Sequence, residues 1–221
     1  VLVVVFQRGA MDGLNAVVSD VLVFSREIRI RPEAVSVGDL FEHAVESCAE
    51  LIARWNIRVR RDGIGDGDTI ACDPHLMHQA LVNVVRNGCE AAGTHAARPG
   101  IRLSVVRRNA METDGKRRAM VGLVVADNGP GIPRDVIGRI FNPFFTTRAT
   151  GTGLGLPIAH RIVDAHGGRV AVRSVDADPV ETRPGTGTIV ELLLPVSAER
   201  SHGEPLGNTS TVSTPSLGDA A

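Results

Sequence analysis

The chain has 221 residues, 43% of them hydrophobic and 22% charged, with a formal net charge of −1. That suits one domain of ordinary size with a genuine core and some extra segments, and it supplies no global field to attract nucleic acid or an anionic membrane surface. Lys116 is the only lysine and falls in "METDGKRR", which reads as a hairpin tip. A G-x-x-x-x-G-K-[ST] phosphate loop and a site built on a strand lysine are therefore both excluded.

Along the chain, Leu14, Val17, Val18, Val21 and Leu22 in "MDGLNAVVSDVLVFSRE" fall at helical spacing, and "RIRPEAVS" ends that helix at a proline. The opening "VLVVVF" is far short of the roughly 20 apolar residues that span a bilayer. A first residue of valine is expected either from a valine start codon or from a piece of a longer chain. "VGDLFEHAVESCAELIARW" predicts one amphipathic helix with Leu40, Phe41, Ala44, Val45, Cys48, Leu51 and Ile52 on its apolar face. "IRVRRD" alternates like a half-buried strand, and "GIGDGD" turns into the short strand "TIAC".

Asp73-Pro74 is a helix-start signal, an acidic cap followed by proline at the first helical position. The helix it opens runs through "HLMHQALVNVVRNGCEAAGTH". Two strands follow, "IRLSVVRR" and "MVGLVVAD", then a short helix at "IPRDVIGRIF", the long loop "NPFFTTRATGTGLG" and the helix "LGLPIAHRIVDAHGG". The strands "RVAVRSV" and "TIVELLLP" close the pattern, and the Ser/Thr/Gly/Pro-rich residues 197–221 read as a disordered tail. Helices interleaved with strands able to pair antiparallel predict a two-layer α/β sandwich rather than a parallel doubly wound sheet.

Three features carry chemistry. On the helix from Pro74, the apolar face is Met77, Leu81, Val84, Gly88 and Ala91, and Gln79, Asn83, Asn87 and Glu90 form a stripe along its edge. Such oxygens suit a hard cation such as Mg²⁺, which binds through few protein ligands plus phosphates; an amphipathic helix with a polar border fits the same letters. "GTGLGLPIAHRIV" puts Gly151, Gly153 and Gly155 at a helix start, where backbone N–H groups and the helix dipole favour an anion. "DNGPGI" ends a buried strand on Asp127 and bends at Gly129 and Gly131, with Pro130 stiffening the turn.

The order of the asparagine helix, "DNGPGI", "FNPFF", "GTGLGL" and a final "GTGT" resembles the ATP-binding domain shared by sensor histidine kinases, gyrase-type and mismatch-repair ATPases and the heat-shock chaperone ATPase (the GHKL-type fold). "DPHLMHQALVNVVRNGCEA" and "IFNPFFTTR" are most similar to the histidine kinases, particularly their nitrogen-regulation-like group. The resemblance covers residues 33–196 and implies ATP and Mg²⁺ as ligands. It implies Asp127 as acceptor of the adenine amino group, Gly129 and Gly131 as the bend beside the purine, and Thr188 as a second adenine contact. Asn87 is implied as the Mg²⁺ ligand supported by Asn83, and Gly151, Gly153 and Gly155 as the phosphate cradle. Arg148 would neutralise terminal-phosphate charge, and Glu90 would serve only as a nearby hydrogen-bonding group. Phe141, Phe144 and Phe145 would anchor a lid, with core packing open for at least one of them.

By the same resemblance, residues 1–32 are the second helix of a dimerisation hairpin whose first helix, with the acceptor histidine, is expected upstream. None of the seven histidines has the acceptor context, so phosphorylation in cis is not expected, and loss of one hairpin helix should weaken dimerisation. The implied partners are a second copy through the hairpin and the receiver domain of a response regulator, with no nucleic acid or membrane contact from this segment, in the cytoplasm whether or not the parent is membrane-anchored. Two other classes stay open, an ATP-driven clamp and an anti-sigma-type serine kinase. The clamp uses a glutamate on the asparagine helix, where Asn83 stands here. Cys48, Cys72 and Cys89 lack disulfide or zinc spacing and read as reduced structural thiols. His75 and His78 beside Cys72 and Asp73 lack a closed ligand set, and His160 and His166 read as packing or capping residues.

Overall fold

A computed structural model describes residues 28–65, 68–111, 117–148, 151–175 and 186–196. The helix expected in "MDGLNAVVSDVLVFSRE", the hairpin tip with Lys116 and the tail 197–221 lie outside them. Five strands form the main sheet: β2 (Arg58–Asp62), β4 (Gly100–Met111), β5 (Arg117–Asp127), β6 (Arg169–Val175) and β7 (Gly187–Pro195), in the order β2-β4-β5-β7-β6. The β2–β4 pair is parallel and the others are antiparallel. A separate two-stranded ribbon pairs β1 (Glu33–Ser36) with β3 (Thr69–Cys72). Strand β1 follows a proline and has only four residues, too few to show a period, and its pairing partner lies far along the chain.

The helices are α1 (Val37–Ser47), α2 (Ala49–Trp55), α3 (Pro74–His95), the short α4 (Arg134–Ile137) and α5 (Gly155–Ala165). Residues of α1, α3 and α5 form one hydrophobic core with Ile101, Leu103, Leu123, Val125, Leu192 and Leu194 of the sheet. The strict alternation of these positions leaves one sheet face for the helices, which is the two-layer α/β sandwich expected from the sequence. At α1 the Ser36 hydroxyl caps by accepting from Asp39 N–H at 3.3 Å, and at α3 the Asp73 carboxylate accepts from Leu76 N–H at 3.1 Å. Helix α5 closes on His166, whose Nδ1–H donates to the Ile162 carbonyl at 2.7 Å while Nε2 accepts from Asp73 N–H at 2.9 Å. His166 is thus the capping residue the sequence suggested.

The single helix expected over residues 37–55 is two, broken at Cys48, whose backbone leaves the helical basin at φ −104° and ψ 8°. The second segment lays Trp55 on α3 at Gly93, where a Cβ would come within 2.4 Å of the indole. All three cysteines are buried and free; burial pushes the Cys72 and Cys89 thiols up to about 12, which keeps them inert.

The face of the sheet turned away from the helices is polar at its centre. Glu191 is only 4% exposed there. It accepts from Arg108 Nε at 2.7 Å, with Arg173 at 3.7 Å. Gly122 makes room for it, since a Cβ there would sit 2.7 Å from Glu191 Oε1. A carboxylate buried this way is tolerated because its charge is paired. Strand β2, at the sheet edge, is the half-buried strand its alternation suggested: Val59 packs against the core while its arginines are largely exposed, and such charges discourage edge-to-edge pairing. Among the described residues no helix is long and apolar enough to cross a membrane.

Trp55 is the only tryptophan, so its emission reports on the α2–α3 contact. Gly93→Leu should expel the indole, red-shift its fluorescence and destabilise the fold by about 1–3 kcal/mol in urea unfolding, the usual cost of overpacking.

Candidate functional site

Helix α3 is both a core element and one wall of a cleft. Its inward residues Met77, Leu81 and Val84 are essentially inaccessible. Of the polar stripe, Asn83 is buried at 7% exposure, and Gln79, Asn87 and Glu90 are intermediate. Among the described residues Asn83 Nδ2 has no hydrogen-bond partner. A buried amide left unpaired costs about 1–3 kcal/mol, so this one calls for a partner, whether water or ligand. The first residue of α5 stands directly opposite. A Cβ on Gly155 would lie 3.6 Å from Asn83 Oδ1 and 3.7 Å from Asn87 Nδ2. The amide stripe and the α5 N-terminus therefore face one another.

The second wall is the end of β5. Asp127 sits on the helix-facing side of the strand, opposite Ile101. Its Oδ1 accepts from Gly129 N–H at 2.8 Å and from Thr188 N–H at 3.3 Å, which leaves Oδ2 available as an acceptor. Desolvation pushes this carboxyl above the ordinary aspartate value, against the pull of those two amides and of Arg148. Gly187 brings β7 close enough for the Thr188 bond. Its φ is +150°, and a Cβ there would be 2.0 Å from the Asp127 carbonyl oxygen. Thr188 itself is 6% exposed, and it is its backbone N–H that holds Asp127.

The two glycines of "DNGPGI" divide their work differently from the expected shared bend. Gly131 has φ +81° and makes the turn. Gly129 is a packing glycine: a Cβ would meet the Ala91 backbone of α3 at 2.8 Å. The Ser174 hydroxyl accepts from Ile132 N–H and anchors the far side of this loop.

The loop between α4 and α5 supplies the third wall. Gly153 has φ +67°, with its would-be Cβ 2.5 Å from the Phe144 backbone, and its carbonyl accepts from Phe144 N–H at 3.0 Å. A Cβ on Gly151 would come within 2.6 Å of Thr146 Oγ1. None of the three phenylalanines belongs to the core. Phe141 packs on His160 at 4.9 Å, Phe145 lies under Arg139 at 4.3 Å, and Phe144 is 65% exposed at φ +64°.

Arg148 reaches across the cleft. Its guanidinium is paired with Glu90, and it donates to Asn87 Oδ1 at 3.4 Å and to the Asn87 carbonyl at 3.2 Å. A positive charge thus rests beside the asparagine oxygen that a cation would use. Sequence reasoning placed Arg148 before the loop and Glu90 on the stripe, but not against each other; only the fold joins residues so far apart. Among the described residues no cluster of three His, Cys, Asp or Glu side chains is fit to hold a metal alone. The donor set fits a hard ion that brings phosphate oxygens with it.

The sequence profile described as "Histidine kinase-, DNA gyrase B-, and HSP90-like ATPase" matches residues 72–198. The sensor histidine kinase ZraS of Escherichia coli (strain K12) is 33% identical over 86% of this chain and 36% of its own length. The sensory histidine kinase/phosphatase NtrB of Rhizobium leguminosarum bv. phaseoli is 31% identical over 90% of this chain and 51% of its own. The chain thus spans only about a third to a half of these relatives. The solved nucleotide-free catalytic domain of the histidine kinase ThkA superimposes with a TM-score of 0.58 at 27% identity, covering 75% of this chain and 96% of that one. The chain therefore belongs to the histidine kinase-, DNA gyrase B- and HSP90-like ATPase family, and its ATP-binding domain is of the sensor histidine kinase type.

Proposed function

We propose that residues 33–196 bind ATP with Mg²⁺ between α3, the end of β5 and the glycine loop, and serve as the phosphoryl-donating domain of a sensor histidine kinase. The buried, unpartnered Asn83 amide facing the first residue of α5 carries this reading. Asp127 Oδ2 accepts from the adenine amino group, where a carbonyl oxygen would be rejected, with Thr188 beside it; Gly129 and Gly131 shape the wall against which the purine lies. Asn87 holds the Mg²⁺ through its side-chain oxygen, and Asn83 supports metal or phosphate from one turn earlier. When bound, Mg²⁺ neutralises and aligns the phosphate oxygens. Gly151, Gly153 and Gly155 offer backbone N–H groups at the α5 N-terminus, and Arg148 leaves Glu90 for the terminal phosphate.

The reaction is transfer of that phosphoryl group to an imidazole nitrogen of a separate helical hairpin, with ADP as the other product. Positioning and charge neutralisation do most of the catalysis. Relay to an aspartate of a response regulator, dimerisation through the hairpin and a cytoplasmic setting belong to the same proposal, and the relatives' names as sensor histidine kinases support it. Asn83, where a clamp ATPase carries its water-activating glutamate, disfavours hydrolysis as the main activity.

Labelled ATP with a separate acceptor hairpin should give acid-labile, base-stable phosphate on the hairpin. Acid-stable label would transfer the assignment to a serine kinase. In calorimetric titrations Asn87→Ala should remove the Mg²⁺ dependence of nucleotide binding.

Asp127→Asn turns an acceptor into a donor facing an amine. It should weaken ATP by about 1–3 kcal/mol, roughly five- to a hundredfold. Because the folded carboxyl pKa is raised, the fold binds the proton more tightly than the unfolded chain. Stability is then lost as pH rises through that range and remains reduced above it. The same variant should therefore melt higher than the parent at neutral pH, by calorimetry. In the parent, ATP affinity should fall on acidification at a higher pH than an ordinary aspartate would set.

Glu90→Gln releases Arg148 from a partly exposed pair worth about 0.2–1 kcal/mol. Nucleotide binding should tighten up to about fivefold, and Arg148→Ala should weaken it.

A further inference from the structure

A second concave site lies on the sheet face turned away from the helices. It is a cavity of about 480 Å³ lined by Arg58, Arg60, Arg98 and Arg102, with Asn56 and Asn128 at its sides and Asp127 the one acidic residue of its lining. Register explains the convergence. Arg58 pairs with Gly100 and Arg60 with Arg102 across the parallel β2–β4 ladder, and Ala126 of β5 lies opposite Arg102. All of these positions share the outer face, while Val59 and Ile101 between them point to the core. The turn carrying Arg98 is held from two sides. Arg58 N–H donates to the Pro99 carbonyl at 2.9 Å. Asn128 donates to the Arg98 carbonyl and accepts from Gly100 N–H, both at 2.9 Å.

Charge is the unexplained quantity here. Among the described residues Arg58, Arg60 and Arg98 have no carboxylate within ion-pair distance, and Arg102 has only Asp62 at 3.7 Å, with both side chains more than half exposed. Four guanidinium groups around one concavity repel one another and focus a positive field into it. Guanidinium forks match phosphate oxygens in pairs. The volume falls in the range of small-molecule sites, roughly 300–1,000 Å³, which favours a compact ligand over a flat protein surface.

We propose that this arginine-lined cavity binds a small polyanion carrying two or more phosphate groups, at a site separate from the nucleotide cleft. Asp127 borders both, its carboxylate held toward Gly129 and Thr188, so the two sites back onto each other across the end of β5, and the test must resolve them.

Inorganic pyrophosphate, titrated without divalent cations into the full ¹⁵N-labelled chain at about 0.1 M salt, should shift the amides of Arg58, Arg98, Gly100 and Asn128 saturably. Arg58→Gln with Arg60→Gln should weaken that binding roughly tenfold or more and leave the melting temperature and Mg²⁺-ATP binding unchanged. Asn87→Ala should leave it intact while losing Mg²⁺-dependent ATP binding, so the failure of one site is distinguishable from failure of the other. Shifts confined to Gly153 and Gly155, shifts that never saturate, or full affinity in the double variant would overturn the proposal. So would a hexaglutamate peptide that binds the same amides more tightly than pyrophosphate, since the cavity would then belong to an acidic protein segment.

Discussion

Two backbone amides on one carboxylate oxygen set the geometry of this domain. Asp127 Oδ1 receives Gly129 from its own loop and Thr188 from a strand 61 residues later. For both to arrive, β7 must lie beside β5 and its first residue must come into contact with the Asp127 carbonyl, which only a glycine permits. Gly129 must also press on the α3 backbone. One acidic residue thus fixes a strand end, a strand start and a helix relative to one another. Its second oxygen is presented to the cleft without freedom to wander. Desolvation of the carboxyl is the cost of that presentation, and the two amides and Arg148 offset part of it.

Helix α3 shows the same compromise between folding and function. One face is as dry as any part of the core, yet Asn83 is buried alongside it with an amide N–H that no described residue satisfies. A leucine there would pack more comfortably. The retained polarity is intelligible as stability exchanged for a ligand's contacts, in keeping with the rule that local violations of good packing gather at functional sites.

Much of this was legible in the sequence because it is local. Asp73-Pro74 marks a helix start by its own chemistry, the alternation of β4, β5 and β7 selects the buried sheet face, and the ordered motifs point to the family. What stayed hidden depends on distant partners. Strand β1 exists only because β3 pairs with it. The break at Cys48 lies inside an uninterrupted helical pattern, and it shows only in where Trp55 lands. "DNGPGI" suggested two bending glycines, whereas Gly129 answers to a helix more than thirty positions upstream. The Arg148–Glu90 pair and the buried Glu191 on the outer face are likewise products of topology, since nothing in the neighbouring letters distinguishes these charges from solvated ones.

His166 ties the far end of α5 to the first turn of α3 through Ile162 on one side and Asp73 on the other. Helices α3 and α5 are therefore riveted together at the end remote from the glycine loop, while at the loop end Gly155 stands against Asn83 and Asn87. Lengthwise sliding of α5 would break the rivet. A tilt of α5 about His166 would keep both hydrogen bonds and would displace the glycine loop most, since the loop lies at the opposite end of that helix.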